Sequence, residues 1–304
     1  MTAQMVPVCY VVAETTIESD IELFELERAP ETAPDGLRVH RGEALPDELR
    51  ETIAQWPLNS LGFGSGLDHQ QRLVVTWAGV GTIVVGSGGA DMIVYPDPDG
   101  TARRVSHLVV DHALPRLFWQ RGRTVFHATS VAIGGKGVGF VAPAGTGKST
   151  LAASFALAGY PLLSDDCLVL DRVESGFEIV PSYCGSRLLP DSARGLAIDE
   201  TLLGEGTGRK LAVRFDHAAL RRYPLATLVS VERAEGPIAL DLVAPADAFW
   251  LLGRRAFVSA NDERAFTALA DVADVVPVWS LRYPSSFAAL DEVRERVLTI
   301  LERG

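Results

Sequence analysis

Residues 139–170 read GFVAPAGTGKSTLAASFALAGYPLLSDDCLVL, and no other stretch constrains the chain as strongly. An apolar strand, VGFVA, runs into a loop that keeps Gly145, Gly147, Lys148, Ser149 and Thr150 of the phosphate-binding pattern GxxxxGK[ST], with Ala144 and Thr146 between them. The helix-forming run STLAASFALAGY follows. In such a loop, consecutive backbone N–H groups curl around phosphate oxygens at a helix N-terminus, the lysine reaches the outer phosphates, and the next hydroxyl reaches Mg²⁺. The first glycine of the pattern is replaced by Ala142. That position lies where the strand enters the loop and wraps phosphate least, so alanine is tolerated there if its φ is negative. Strand, loop, Lys-Ser-Thr and helix coincide in the order the motif demands, which a chance glycine-rich turn would not supply.

The acidic pair Asp165-Asp166 comes early for a phosphate-loop protein. A helix from Lys148 to about Ala158 descends roughly 16 Å at 1.5 Å per residue, and the segment YPLLS climbs roughly 16 Å back if extended. Both carboxylates therefore return level with the loop, and on a neighbouring strand they point to opposite faces. One would face the transferred phosphate and its acceptor, the other the metal or its waters. His127 is placed by similar reasoning. A hairpin in IGGKGV centred between Gly135 and Lys136 pairs His127 with Ala144, beside the phosphates.

A histidine about twenty residues before the loop lysine, the loop, one helix and then Asp-Asp resembles the catalytic domain of the HPr kinase/phosphorylase family, a fold relative of ATP-dependent phosphoenolpyruvate carboxykinase. The resemblance is specific from His127 to Leu170. It is looser through PSYCGSRLLPDS, GRK and VPVWSLRYPSSFAALDEV, which are similar to HPr-kinase-related proteins, some of which phosphorylate a precursor peptide of ribosomal-peptide clusters. Residues 1–100 do not resemble the N-terminal domain of true HPr kinases. The resemblance implies an α/β P-loop kinase domain with a mixed sheet, using ATP and Mg²⁺. It implies that residues 144–150 hold the nucleotide, that Ser149 ligates Mg²⁺, that Asp165 is the general base for a substrate hydroxyl, that Asp166 supports the metal, and that His127 sits by the transferred group. The family's further carboxylate ligand lies in a signature segment absent here, and Asp191 stands at a comparable distance. Arg187 and Lys210 are the cations nominated to neutralise phosphate charge or to bind substrate.

Three functions fit these motifs. The first is a kinase for a Ser or Thr hydroxyl of a peptide or protein, the second a small-molecule hydroxyl kinase with the same core, the third a nucleotide-binding regulator without turnover. Retention of both Lys148 and the Asp pair argues against the third, because binding alone needs no base. No set of residues resembles the transition-metal ligands of a carboxykinase, and no coupling motif suggests a motor or transport ATPase.

The remaining chain sets the frame. Residues 1–104 read as a smaller β-rich domain, with strands near 73–78, 82–86 and 91–95, and a polar, Pro-rich stretch from Glu27 that reads as a loop and a short helix. This domain is the candidate substrate-binding unit. Residues 105–304 read as the α/β domain, opening with a helix interrupted at Pro115. Net charge is −11 over 304 residues. That excludes a nucleic-acid or anionic-membrane binder working through bulk charge, so an anionic substrate needs a local basic pocket. Pairs such as Arg254-Arg255 read as solvated faces. The N-terminal apolar run is too short to span a bilayer and lacks a basic lead, and Cys9, Cys167 and Cys184 form no framework. The expectation is a cytoplasmic protein with no nucleic-acid or membrane partner. A homo-oligomer is compatible with everything in the sequence.

Overall fold

The computed structural model describes residues 7–30, 36–183, 185–206, 208–215, 221–258 and 262–302. Cys9 is half-buried, Cys167 is buried, and Cys184 lies outside the described residues. The chain forms two compact units, Met1–Gly122 with Val258–Asp262, and Arg123–Phe257 with Glu263–Gly304.

The first unit is built on β1 (Val8–Val12), β2 (Thr15–Ser19), β3 (Glu27–Arg28), β4 (Leu37–Arg41), β5 (Phe63–Leu67), β6 (Leu73–Trp77), β7 (Gly81–Val85) and β8 (Asp91–Pro96), with helix α1 (Asp47–Ala54) between β4 and β5. They make one sheet in the order β3-β1-β2-β4-β8-β7-β6-β5. The strands expected near 73, 82 and 91 are present. The polar stretch from Glu27, expected as a loop and a short helix, also holds two strands, β3 and β4: in β4, Leu37 and Val39 are buried while Arg38, His40 and Arg41 face outward, an alternation the surrounding charges mask in the sequence. α1 lays Leu49 against Val74 and Val84.

Helices α2 (Ala102–His107) and α3 (Leu114–Gln120) are joined by a π-helical turn over Leu108–Ala113. Thr101 caps α2 by accepting from the Arg104 N–H. The break falls before Pro115 and not at it. Pro115 has no N–H to give the Asp111 carbonyl and would press on it, and the backbone widens one turn earlier, with the Leu114 N–H reaching back to Val109 O. The run 102–120 groups with the first unit, so the chain passes between units after these helices, at Gly122–Arg123, and not at residue 104 where the composition changes.

The second unit is a mixed α/β domain. Its strands are β9 (Thr124–Phe126), β10 (Ala128–Ile133), β11 (Lys136–Val141), β12 (Leu162–Ser164), β13 (Leu168–Val173), β14 (Gly176–Val180), β15 (Gly185–Leu188), β16 (Leu203–Glu205), β17 (Leu211–Arg214), β18 (Tyr223–Arg233), β19 (Ala239–Leu242) and β20 (Val278–Tyr283). Its helices are α4 (Lys148–Leu157), α5 (Pro190–Gly195), α6 (Pro245–Gly253), α7 (Glu263–Val275) and α8 (Leu290–Glu302). The main sheet follows the path β12-β10-β11-β18-β14-β13-β9, with β20 on β18 and β19 on β20. β18 runs parallel to both β11 and β20, and the other pairs are antiparallel. β15, β17 and β16 form a small separate sheet.

The central strands read as continuous apolar runs because both faces are covered. Phe140, Val229 and Leu281 pack on one side with Leu151 and Phe155 of α4 and Val293 and Val297 of α8. Leu228 and Leu168 pack on the other with Leu252 of α6 and Leu269 and Val272 of α7. Consecutive residues Leu228 and Val229 thus serve opposite layers, as strand geometry requires. Among the described residues no helix is long and apolar enough to cross a membrane.

Candidate functional site: a phosphate loop beside two unlike carboxylates

β11 delivers the chain into the loop Ala142–Gly147, and α4 begins at Lys148. Ala142 is buried in the core and is not among the residues with positive φ, so the missing glycine costs the loop nothing. The two retained glycines are needed: Gly145 has φ 80° and Gly147 φ 101°, conformations that disfavour any side chain. A Cβ on Gly147 would also lie 2.4 Å from an Arg233 guanidinium nitrogen. Pro143, Ala144 and Gly145 are exposed, Thr146 and Ser149 half-buried, Lys148 and Thr150 buried.

Arg233, at the end of β18, braces this loop. Its Nε donates to Thr146 O at 3.0 Å and a terminal nitrogen donates to Pro284 O at 3.2 Å, with the guanidinium 4.2 Å above the Tyr283 ring. No motif marks it, since it follows the loop by a crossover of many residues. The parallel pairing of β11 with β18, Val141 opposite Ser230, brings it there.

Lys148 Nζ donates to Ala142 O at 3.0 Å and to Pro143 O at 3.4 Å. Burial lowers its pKa, and the charges of Asp166 and Asp165 partly restore it. Thr150 Oγ1 donates to Ser192 Oγ at 3.1 Å, tying α4 to α5.

The acidic pair lies in the bend between β12 and β13 and not on a strand, which corrects the expected alternation. The two side chains still diverge, because Asp166 takes a left-handed conformation, φ 62°. Aspartate tolerates that region better than most residues, at a cost of about 1–3 kcal/mol that the surrounding contacts must hold. Asp165 is 1% exposed. Its Oδ1 accepts from Ser149 Oγ at 2.9 Å, and its Oδ2 from Ser186 Oγ at 3.0 Å and the Arg187 N–H at 3.1 Å. Asp166 turns the other way: Oδ1 accepts from His127 Nε2 at 3.1 Å, Oδ2 from the Arg187 guanidinium at 3.0 Å, and Lys210 Nζ stands 4.0 Å off.

These environments separate the two groups electrostatically. Burial, reinforced by repulsion from Asp166, raises the Asp165 pKa. Burial also acts on Asp166, but the His127 hydrogen bond and the charges of Arg187 and Lys210 outweigh it and hold that carboxyl well below the usual range.

His127 lies in the one-residue gap between β9 and β10. The hairpin closes on Gly134-Gly135, with Ile133 opposite Lys136, one residue earlier than expected. His127 is therefore level with Ala142 and not Ala144, a slip of two that keeps it on the same face. Its N–H donates to Arg255 O at 2.7 Å. Arg255 adjoins the site through this backbone bond, and its charge, with that of Lys210, adds to the lowering of the Lys148 pKa, although its pair reads as a solvated face in the sequence. Asp191 is not brought into the cluster. Its carboxylate is 85% exposed and pairs with Arg194 on α5. The structure thus gathers His127, Lys148, Ser149, Asp165, Asp166, Arg187 and Lys210, adds Arg233 and Arg255, and leaves Asp191 aside. Five cations, Lys148, Arg187, Lys210, Arg233 and Arg255, concentrate positive charge near the two carboxylates in a chain of net charge −11.

No family model matches the chain. No curated protein matches it either. Among solved structures it is similar to the Hpr(Ser) kinase/phosphatase from Coxiella burnetii, with 15% identity over 58% of this chain and 97% of that one, at a TM-score of 0.32. The likeness is distant.

Among the described residues no group of three or more His, Cys, Asp or Glu side chains is placed to hold a metal alone. Mg²⁺ does not require one, since it takes one or two protein oxygens together with substrate phosphates. Ser149 Oγ and Asp165 Oδ1, 2.9 Å apart at the start of α4, are two hard oxygen donors of that kind.

The raised pKa of Asp165 carries a stability consequence. A carboxyl whose folded pKa exceeds its unfolded value, about 3.9, stabilises the fold only while protonated, and that contribution is lost as pH rises through the folded value. Asp165→Asn keeps the shape and one acceptor oxygen, for Ser186 and the Arg187 N–H, sets its NH₂ against Ser149 Oγ, whose hydroxyl can turn to accept, and removes the buried charge. It will therefore raise the melting temperature of the nucleotide-free protein at pH 7.5 by about 2–4 °C, the equivalent of ~1 kcal/mol. The gain will vanish near pH 3.5. Thermal unfolding of both proteins at the two pH values checks this, and a less stable variant at pH 7.5 would show that the charge is not a burden.

Proposed function

We propose that the protein is an ATP- and Mg²⁺-dependent phosphotransferase that moves the γ-phosphoryl group to a Ser or Thr hydroxyl of a peptide or protein. The observation that carries this reading is one bend holding two carboxylates in opposite settings, Asp165 tied to the loop hydroxyl of Ser149 and Asp166 tied to His127 and Arg187. Phosphoryl transfer needs charge neutralised on one side of the γ-phosphate and a hydroxyl aimed at the other.

The loop amides, Lys148 and Arg255 bind the phosphates. Ser149 and Asp165 would hold Mg²⁺, which would supply neutralisation of charge on the phosphate oxygens. Asp166 accepts the hydrogen bond of the incoming hydroxyl, orients its oxygen and receives its proton as the new bond to the γ-phosphorus forms and the bond from that phosphorus to the bridging oxygen breaks, releasing ADP. This exchanges the roles that the family resemblance implies for the two aspartates, and the Ser149–Asp165 contact is the reason. A carboxylate of depressed pKa is a weak base. The loose transition state of phosphoryl transfer asks mainly for orientation, with the proton leaving late. His127 and Arg187 fix the Asp166 carboxylate, and Lys210 supplies positive charge beside the acceptor.

The test is transfer of label from γ-labelled ATP with Mg²⁺ to a panel of Ser- and Thr-containing peptides and small hydroxyl compounds, alongside nucleotide titration. Label on a peptide hydroxyl is the expected result. Label on a small compound alone would move the acceptor class, and tight ATP binding with no acceptor labelled would sink the reading in favour of a regulator.

A further inference from the structure

The eight-stranded sheet of the first unit ends in an edge, β5, that is protected only in part: Asn59 closes it at Phe63, and Arg116 Nε donates to the Ser65 side chain at 3.0 Å and leaves its backbone open. β5 reads FGSGL, with no Lys, no Pro and an unbroken register on β6, its single sheet neighbour. Sheet edges are ordinarily blunted by such residues because unpaired N–H and C=O groups accept another strand.

Hydrogen bonding identifies which groups face outward. The Asp68 N–H donates to Arg72 O and the Ala78 N–H to Gly62 O, each at 3.0 Å. The even-numbered residues from Gly62 to Asp68 therefore bond to the β6 side, and the odd-numbered ones direct their backbone away. At Phe63 both outward groups are taken by Asn59, whose Oδ1 accepts the Phe63 N–H at 3.1 Å and whose N–H donates to Phe63 O at 3.0 Å. Ser65 and Leu67 are exposed, and among the described residues nothing bonds to their outward backbone.

The side chains point to the same use. Among the described residues, the large apolar side chains that the first unit exposes are Leu58 (39%), Leu61 (71%) and Leu67 (38%), all on β5 or the segment leading into it. Gly64 and Gly66 carry no side chains on the opposite face, and Leu58 and Trp56 lie over it instead. A Cβ at Gly64 would come 2.6 Å from Leu58 Cδ2, and one at Gly66 3.2 Å from the Trp56 ring. A strand laid along β5 would thus meet Leu67 on one face and Leu58 on the other.

We infer that β5 docks an extended peptide segment by strand addition, bonded to the backbone of Ser65 and Leu67 and carrying apolar side chains that contact Leu67 and Leu58. On the phosphotransferase reading, from which only the identity of the segment is taken, it belongs to the acceptor peptide. A second copy of the chain suits the edge less well. Among the described residues of β5 only Ser65 and Leu67 offer free outward backbone, a short stretch beside the roughly 20–30 residues and 800 Å² per partner of a stable interface. Strand addition by a short peptide needs only main-chain bonds and pockets for alternate side chains.

The experiment uses the full chain without nucleotide and a library of ten-residue peptides with a fixed central serine and all residues at the other positions. The wild type will select peptides with apolar residues near the serine, and selected peptides will slow deuterium exchange at the Ser65 and Leu67 amides. Ser65→Pro removes an outward donor at an edge position where proline is tolerated, and Leu67→Glu provides a second, surface-only change. Each will weaken binding at least tenfold. Because nucleotide is absent, no transfer occurs and docking is scored by itself. Equal binding by wild type and both edge variants would overturn the proposal, as would a library from which nothing is selected. Protection of Ser65 and Leu67 without peptide, rising with protein concentration as a dimer sediments, would assign the edge to a second copy and overturn it as well.

Discussion

Replacing Asp166 by asparagine will lower phosphoryl transfer by about 10²–10⁴-fold, the usual worth of a positioned base, and will leave Mg²⁺-ATP affinity close to that of wild type. The side chain meets His127, Arg187 and Lys210 and makes no hydrogen bond to the loop hydroxyl. Asparagine keeps an oxygen for Arg187 and loses the charge that orients and deprotonates a hydroxyl. Turnover at saturating ATP, with calorimetric titration of nucleotide, separates the two effects. Asp165→Asn will do the reverse and lose metal-dependent nucleotide binding first. If Asp166→Asn instead lost ATP binding while Asp165→Asn retained it, the two carboxylates would hold the roles implied by the family resemblance. Because His127, Arg187 and Lys210 hold the Asp166 pKa low against the effect of burial, this group stays ionised through the neutral range. The rate profile will then show no acid limb from it above about pH 4.

The second large effect is on stability. Arg187 is 2% exposed and pairs with Asp166 at 3.0 Å. Arg187→Met will cost about 3–5 kcal/mol, because removing one partner leaves a buried carboxylate without its strongest counter-charge. Urea unfolding of the nucleotide-free protein measures it. The double variant Arg187→Met/Asp166→Asn will recover part of the loss, since the orphaned charge is gone. The pH dependence has a fixed sign. A depressed folded pKa contributes stability that is full above the unfolded value and is lost as pH falls through the folded one. The gap between wild type and Arg187→Met will therefore narrow below about pH 4. A change under ~0.5 kcal/mol, typical of a surface site, would mean that the pair is solvated in solution.

The sequence made the centre of this site readable because its parts are close in the chain and each carries a local rule. Strand, glycine loop, lysine and helix need only adjacency, and chain geometry alone returned the Asp pair to the level of the loop. The errors were errors of backbone detail. Gly134 and Gly135 have φ of 57° and 81°, the pair of positive values a two-residue hairpin turn requires. The Gly-Gly dipeptide, and not Gly-Lys, was therefore the better centre. The left-handed turn at Asp166 has no glycine to announce it, so strand alternation was the wrong rule there. The expectation of a helix interrupted near Pro115 held in kind but missed the widened turn before it. Arg233 and Arg255 were out of reach for another reason: what makes them part of the site is strand pairing and helix placement far along the chain, and an isolated arginine carries no local signal of either.

The brace by Arg233 separates the motif from the site in time. Arg233 follows Thr146, whose carbonyl it holds, by 87 residues. At 5–20 residues per second, a ribosome needs roughly 4–17 s to add that length. During this interval a nascent chain displays the whole phosphate-loop signature without the arginine that holds it, and β18, which carries that arginine, has yet to take its place beside β11. Completion of the braced loop is in this sense a late event in the birth of the molecule, timed by the arrival of a residue that no phosphate-loop pattern contains.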